Sequence, residues 1–228
     1  MAQFKVWEKE YRDSKFVTKH DKPQKFFLRF LKYLRREKKI KLENLKILDL
    51  GSGTGRNANY LAELGAQVFG LEISATAVKV ARERAKELDI SVEYYQCSIG
   101  EKYPFEDNYF DLVLDITSSN SLDEQELEIY LNEVNRVLKP DGNFFVRSLC
   151  LESDKNAKQL LKMFSGKEEN TYILPEVKII ERVFSREDFM KLYSEKYDII
   201  KLIKEIGYSK FNDRSYKRNF WIGYLRKK

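Results

Sequence analysis

The stretch Lys46-Ile-Leu-Asp-Leu-Gly-Ser-Gly-Thr-Gly-Arg56 decides the fold. Ile47, Leu48 and Leu50 form a short apolar run without proline, as expected of a strand buried on both faces of a parallel sheet. Gly51, Gly53 and Gly55 follow at once; glycine admits positive φ angles and carries no Cβ to hold a ligand away from the backbone. Ala58, Leu61 and Ala62 then recur at helical spacing up to Gly65, which suits the position just past a helix C-terminus. Strand, glycine turn and helix in this order present backbone N–H groups at a helix N-terminus.

What the loop lacks narrows the ligand. No Gly-Lys-Ser/Thr stands at P-loop spacing, and Arg56 occupies the place of the third glycine in a dinucleotide loop. The next strand, Gln67-Val-Phe-Gly-Leu-Glu72, ends in a carboxylate 17 residues beyond Gly55. A carboxylate at that strand end can hydrogen bond two ribose hydroxyls, and it tolerates a cationic ligand.

Leu48-Asp-Leu-Gly-Ser-Gly-Thr-Gly55 with Glu72 resembles the first two signature motifs of class I S-adenosylmethionine-dependent methyltransferases. Tyr103-Pro-Phe-Glu-Asp-Asn-Tyr-Phe-Asp-Leu-Val-Leu114 is similar to that family's approach to strand four. Leu131-Asn-Glu-Val-Asn-Arg-Val-Leu-Lys-Pro-Asp-Gly142 resembles its helix and turn before strand five. The resemblance covers about residues 46–148 and implies an α/β fold: a Rossmann-like, seven-stranded, mostly parallel sheet with an antiparallel last strand and helices on both faces. It also implies S-adenosyl-L-methionine as cofactor, S-adenosyl-L-homocysteine as product and no metal.

The cofactor-binding residues implied are Asp49, Gly51, Ser52, Gly53, Gly55, Arg56, Glu72, Ile73, Ser98, Ile99 and Asp115. Ser98 stands where the family more often has aspartate against adenine, and a serine hydrogen bonds an exocyclic amine more weakly than a carboxylate does. Asp115 opens the loop Asp115-Ile-Thr-Ser-Ser-Asn120 at the end of strand four, where ligands of open α/β sheets gather. It either touches cofactor or acceptor, or caps the turn. The loop carries neither the Pro-Pro-aromatic motif that grips a flipped base nor a Pro-Cys nucleophile.

The chain of 228 residues is 43% hydrophobic, enough for one full core. It is therefore read as a single methyltransferase domain over residues 1–228: a helical cap at 1–45, a cofactor-binding core at 46–148, a lid-like insertion at 151–182, and a C-terminal helix with a strand pair at 183–228. With no apolar run near membrane-spanning length and no signal-type N-terminus, the chain reads as cytoplasmic. Cys97 and Cys150 have no zinc or redox spacing. His20, the one histidine, lies outside every motif, which speaks against a histidine base.

Net charge is +6, but residues 19–46 carry +8 and residues 207–228 another +6, leaving the rest acidic. Such segments either meet nucleic acid or are solvated faces. Within the first, Phe27, Phe30, Leu31 and Leu34 make one apolar helix face, with Lys25, Arg29, Lys32, Arg35 and Arg36 around it. Upstream, Trp7, Tyr11 and Phe16 sit among charges in a short helix or arm, and Trp7 and Tyr11 are candidates to cover the cofactor. Asp123 with Glu126 and Ser185 with Asp188 read as helix-starting capping boxes, and Ser74 as an N-cap. Residues 151–178 have no strong period and read as a lid, in which Tyr172, Ile173 and Leu174 either contact substrate or seal the sheet edge. Strands are expected at 197–206 and 218–225.

Methyl transfer is an in-line displacement that needs alignment and exclusion of water more than a strong acid. Any base would be Asp115 or a lid tyrosine, and no catalytic residue is assigned. Three functions are compatible with the residues. The first is methylation of a small-molecule acceptor at N, O or S. The second is an RNA- or protein-directed enzyme using the two basic segments. The third is a non-catalytic S-adenosylmethionine-binding partner subunit, against which the intact glycine loop and Glu72 argue.

Overall fold

A computed structural model describes residues 3–13, 21–211 and 214–228; Phe16 and His20, singled out above, lie outside them. The elements in chain order are α1 (Phe4–Arg12), α2 (Lys25–Arg36), β1 (Lys46–Leu50), α3 (Arg56–Glu63), β2 (Gln67–Glu72), α4 (Ala75–Glu87), β3 (Val92–Gln96), β4 (Phe110–Ile116) and α5 (Glu124–Val137). They continue with β5 (Leu138–Leu149), α6 (Lys155–Phe164), β6 (Thr171–Ile173), β7 (Ile180–Arg182), α7 (Arg186–Tyr193), β8 (Tyr197–Phe211) and β9 (Arg214–Lys227).

Seven strands form one sheet in the order β3-β2-β1-β4-β5-β9-β8. The five strands from β3 to β5 are parallel, and β9 runs antiparallel between β5 and β8. The expected sheet with its antiparallel last strand is therefore present. Alternation along the strands feeds two cores. Ile47, Leu112, Leu114 and Phe145 face one side with α2, α3 and α4, while Leu48, Val113, Phe144 and Val146 face the other with α5 and α7.

Local chemistry sets the element ends. Ser74 accepts the Ala77 N–H, and both expected capping boxes are closed, Asp123 with Glu126 and Ser185 with Asp188. The approach to β4 is held from outside the site. Arg136 donates to the Tyr103 and Phe105 carbonyls while pairing with Glu133 and Asp107, and Asp111 accepts the Lys46 N–H and the Lys139 ammonium.

Three expectations change. Lys139-Pro-Asp-Gly142 is drawn into β5 with a register shift against β4 rather than forming a free turn, although pairing from Asn143 onward is as expected. The C-terminal strands are longer than 197–206 and 218–225: β9 leaves β5 at Phe220, and residues 206–211 and 214–219 continue as a two-stranded ribbon past the sheet. The insertion at 151–182, most of it read as lacking a strong period, holds regular elements. These are α6 and the β6–β7 hairpin, and they bury Ala157, Tyr172, Leu174 and Ile179 in the body of the protein.

Candidate functional site

The C-terminal ends of the parallel strands open on a cavity of about 590 Å³, within the usual size of small-molecule sites. Its floor is the glycine loop. Gly51, Gly53 and Gly55 all have positive φ, at 63°, 55° and 81°. At Gly53 an added Cβ would lie 2.8 Å from the Tyr11 hydroxyl, so the loop's shape and its cover both require glycine.

Glu72 ends β2 beside this loop, 4% exposed. Its carboxylate accepts the Gly53 N–H at 2.9 Å and the Ser74 N–H at 2.8 Å. Burial pushes its pKa up to about 7 against the pull of these bonds. Asp49, on the neighbouring strand, rises to about 8 through burial and the charge of Asp115. One oxygen of Asp49 is buried without a partner, as are Ser52 Oγ, Arg56 Nε and Asn57 Oδ1. Native proteins leave few buried polar atoms unpaired; four around one loop fit a ligand that brings a cation and several donors and acceptors.

Asp49, Gly51, Ser52, Gly53, Arg56, Glu72, Ile73, Ser98 and Ile99 all line this cavity, so the structure brings together nine of the eleven residues singled out. Ser98 spends its hydroxyl as acceptor of the Gly100 N–H at 3.1 Å. Gly55 shapes the loop from behind, against Tyr94. Asp115 is fully buried and takes the turn role. It accepts from the Ser118 N–H at 2.8 Å and the Tyr130 hydroxyl at 2.7 Å, and it does not line the cavity.

Trp7 and Tyr11 do line the cavity from α1, as expected of a cover. The expected contact of Tyr172, Ile173 and Leu174 with substrate is corrected: none of them lines the cavity. Tyr172 is fully buried and hydrogen bonded to Glu181 and Arg218, because the hairpin folds inward onto β9. Of residues 151–182, Glu181 alone lines the cavity.

Other lining residues were not singled out from sequence. Thr117 and Ser118 follow β4; Thr117 has a φ of 64°, unusual for a β-branched residue and unmarked in sequence. Phe26 of α2, Arg147 of β5, Phe220 of β9 and Tyr208 of the ribbon wall the end away from Glu72. Arg147 did leave a signal: a cation inside the apolar run Asn143-Phe-Phe-Val-Arg-Ser-Leu149.

A model of the family described as methyltransferase domain matches residues 41–197, more than half of the chain. The ubiquinone biosynthesis O-methyltransferase of Alkalilimnicola ehrlichii is 27% identical over 174 residues, covering 76% of this chain and 68% of that one. That of Bartonella tribocorum is 32% identical over 47% of this chain, and the match spans 42% of its length. Among solved structures, a protein of Pyrococcus horikoshii OT3 superimposes with a TM-score of 0.72 at 25% identity, over 96% of this chain and 99% of that one. The 1,6-didemethyltoxoflavin-N1-methyltransferase of Burkholderia thailandensis, solved with 1,6-didemethyltoxoflavin and S-adenosylhomocysteine bound, shares the fold with a TM-score of 0.70 at 16% identity, over 98% and 86% of the two chains.

Proposed function

The chain belongs to the class I S-adenosylmethionine-dependent methyltransferases, and from that premise we propose that it methylates a small-molecule acceptor in the cytoplasm. The observation that carries this reading is the division of one cavity between two chemistries. At one end stand the glycine loop, Asp49 and Glu72; at the other, past β4, stand Phe26, Arg147 and Phe220 under the ribbon. α1 covers the cofactor end and the ribbon walls the acceptor end, which suits a compact molecule better than a polymer.

In this reading Glu72 accepts the ribose hydroxyls while Gly53 and Ser74 hold its carboxylate in place. Ile99 and Ser98 meet the adenine. The Gly51–Gly55 backbone, with Arg56, receives the amino-acid tail. The unpartnered buried oxygen of Asp49 would meet the cofactor's positive charge. The cofactor supplies an electrophilic methyl group on a sulfonium. The protein's part is to line up the acceptor nucleophile and keep water out, which Trp7 and Tyr11 do from α1. Tyr11 lies against Gly53 at the cofactor end; Asp115 and Tyr172 are too buried to serve as bases.

Incubation with methyl-labelled cofactor and a size-fractionated cell extract tests this. Label is expected in the fraction of small molecules. Label confined to RNA or protein would overturn the reading in favour of a macromolecular acceptor, and absence of cofactor binding would leave only a silent fold.

A further inference from the structure

Arg147, two residues before the end of β5, pairs with Ile116 of β4, and its carbonyl accepts the Thr117 N–H at 2.8 Å. The side chain reaches into the cavity between two rings. Its guanidinium carbon lies 3.3 Å from the centroid of Phe220 and 4.5 Å from that of Phe26. At 3.3 Å a guanidinium can only lie face-on against the ring, so its N–H groups project from the edge of the stack.

No hydrogen bond or ion pair to this side chain occurs among the described residues, and Nε is buried and unpaired. The carboxylates around it are engaged elsewhere. Glu205 pairs with Arg29, and Glu181 accepts from Tyr172 and faces Arg218. The cations Arg56 and Arg218 add to the local positive potential, and burial draws the Arg147 pKa down to about 9. A half-buried cation that shares the charge of Glu205 with Arg29 is under-compensated, and ring faces offset only part of that. The remainder is available to an anion that enters the cavity.

The cofactor's own carboxylate is not the natural occupant. β5 lies two strands from the glycine loop, roughly 10 Å across the sheet, and Arg56 stands on the loop itself. Building on the methyltransferase reading, we infer that Arg147 is the acceptor's specificity residue. The acceptor is a flat organic acid whose carboxylate pairs with the guanidinium edge while its body lies on the apolar wall beside Phe26 and Phe220.

The test titrates S-adenosylhomocysteine-saturated protein with 4-hydroxybenzoate, 4-hydroxybenzamide and phenyl phosphate by calorimetry. The acid is expected to bind at least about tenfold more tightly than its amide, the scale of one charge-assisted pair. In R147Q that preference should vanish while S-adenosylhomocysteine affinity is unchanged; R147K should keep part of it. Equal binding of acid and amide by the wild type, or no binding of either, would overturn the inference whether or not R147Q folds. Tighter binding of phenyl phosphate would overturn the assignment to a carboxylate. Loss of S-adenosylhomocysteine affinity in R147Q would place Arg147 on the cofactor's tail instead. Failure of the wild type to bind S-adenosylhomocysteine at all would count against the methyltransferase reading itself, and is seen before any acid is added.

Discussion

Glu8 Oε2 accepts the Ser74 hydroxyl at 2.7 Å, and that same hydroxyl caps α4 by accepting the Ala77 N–H at 3.2 Å. Ser74 also donates its backbone N–H to Glu72. A chain of polar contacts thus runs from the covering helix to the carboxylate at the nucleoside end of the cavity. Thr76 adds its own N–H and hydroxyl to Glu8. Replacing Glu8 by Ala is expected to free α1 at a cost of about 1.5–3 kcal/mol, the range for hydrogen bonds to a charged group. Faster amide exchange over residues 4–12, with weaker S-adenosylhomocysteine binding, checks it; unchanged exchange would show that α1 is held by packing alone.

The same contacts predict an acid limb. Burial pushes Glu8 upward, but the Thr76 and Ser74 hydrogen bonds outweigh it and hold its pKa at about 2, against an ordinary 4.5. A depressed carboxylate contributes stability that is present above 4.5 and lost as pH falls toward 2. Glu8→Gln should therefore flatten the wild-type loss of stability across that window. Denaturant midpoints measured from pH 5 to pH 2 decide this.

Glu72 and Asp49 act with the opposite sign. Their raised values, about 7 and about 8, mean that the ligand-free protein is stabilised below pH 4 and loses that contribution as pH rises through 7 and 8. Ribose hydroxyls are held best by the ionised Glu72, so binding near neutral pH should release protons. Calorimetry in buffers of differing ionisation heat is expected to show this release for the wild type and less of it for Glu72→Gln. Glu72→Ala should weaken S-adenosylhomocysteine by about 1.5–3 kcal/mol. Binding enthalpies independent of buffer would contradict the assignment.

Gly53→Val combines two penalties: a branched side chain at a φ of 55°, and a Cβ 2.8 Å from the Tyr11 hydroxyl. Left-handed backbone alone costs roughly 1–3 kcal/mol for such a residue. The variant should keep its cooperative melt at lower temperature and bind no S-adenosylhomocysteine. Wild-type affinity in this variant would mean that the loop is not the cofactor floor.

The glycine loop, Glu72 and the capping boxes could be read from sequence, because each rests on contacts within a few residues or on strand periodicity, whereas the antiparallel direction of the last strand came only with the family resemblance. What sequence hid depends on distant partners. Tyr172 looked like a lid residue until Glu181 and Arg218 closed around its hydroxyl. Asp115 stood between a ligand contact and a turn cap, and its bond from Tyr130, 15 residues on, was invisible in sequence. α6 has only Ala157 fully buried, so its apolar stripe was too thin to count. The ribbon was missed because pairing of residues 206–211 with 214–219 needs no core-facing alternation.

Deleting residues 218–228 removes most of β9, which lies between β5 and β8 rather than at the sheet's edge. Trp221, Ile222 and Leu225 leave both cores, and the β5 edge is bared. Exposed interior edges pair with other chains, so insoluble protein is expected. A soluble truncation with a cooperative melt would contradict this placement.

The basic face of α2 gives the last prediction, because its bland and functional readings differ in their dependence on salt. Lys25, Arg29, Lys32, Arg35 and Arg36 are all exposed, opposite the buried Phe27, Phe30 and Leu34. One of the five is already engaged, since Arg29 pairs with Glu205 of β8. If the other four met RNA phosphates, each would contribute roughly −0.7 to −0.9 to the slope of log affinity against log salt, and binding would fall roughly a thousandfold from 50 to 500 mM. A solvated face has no such binding to lose. The acceptor loop from Asp115 to Asn120 offers no aromatic side chain for a base to stack on, so weak association without methyl transfer to bulk RNA is expected. Labelled methyl groups in RNA, abolished by reversing the four charges while S-adenosylhomocysteine affinity holds, would replace the small-molecule acceptor with a nucleic acid.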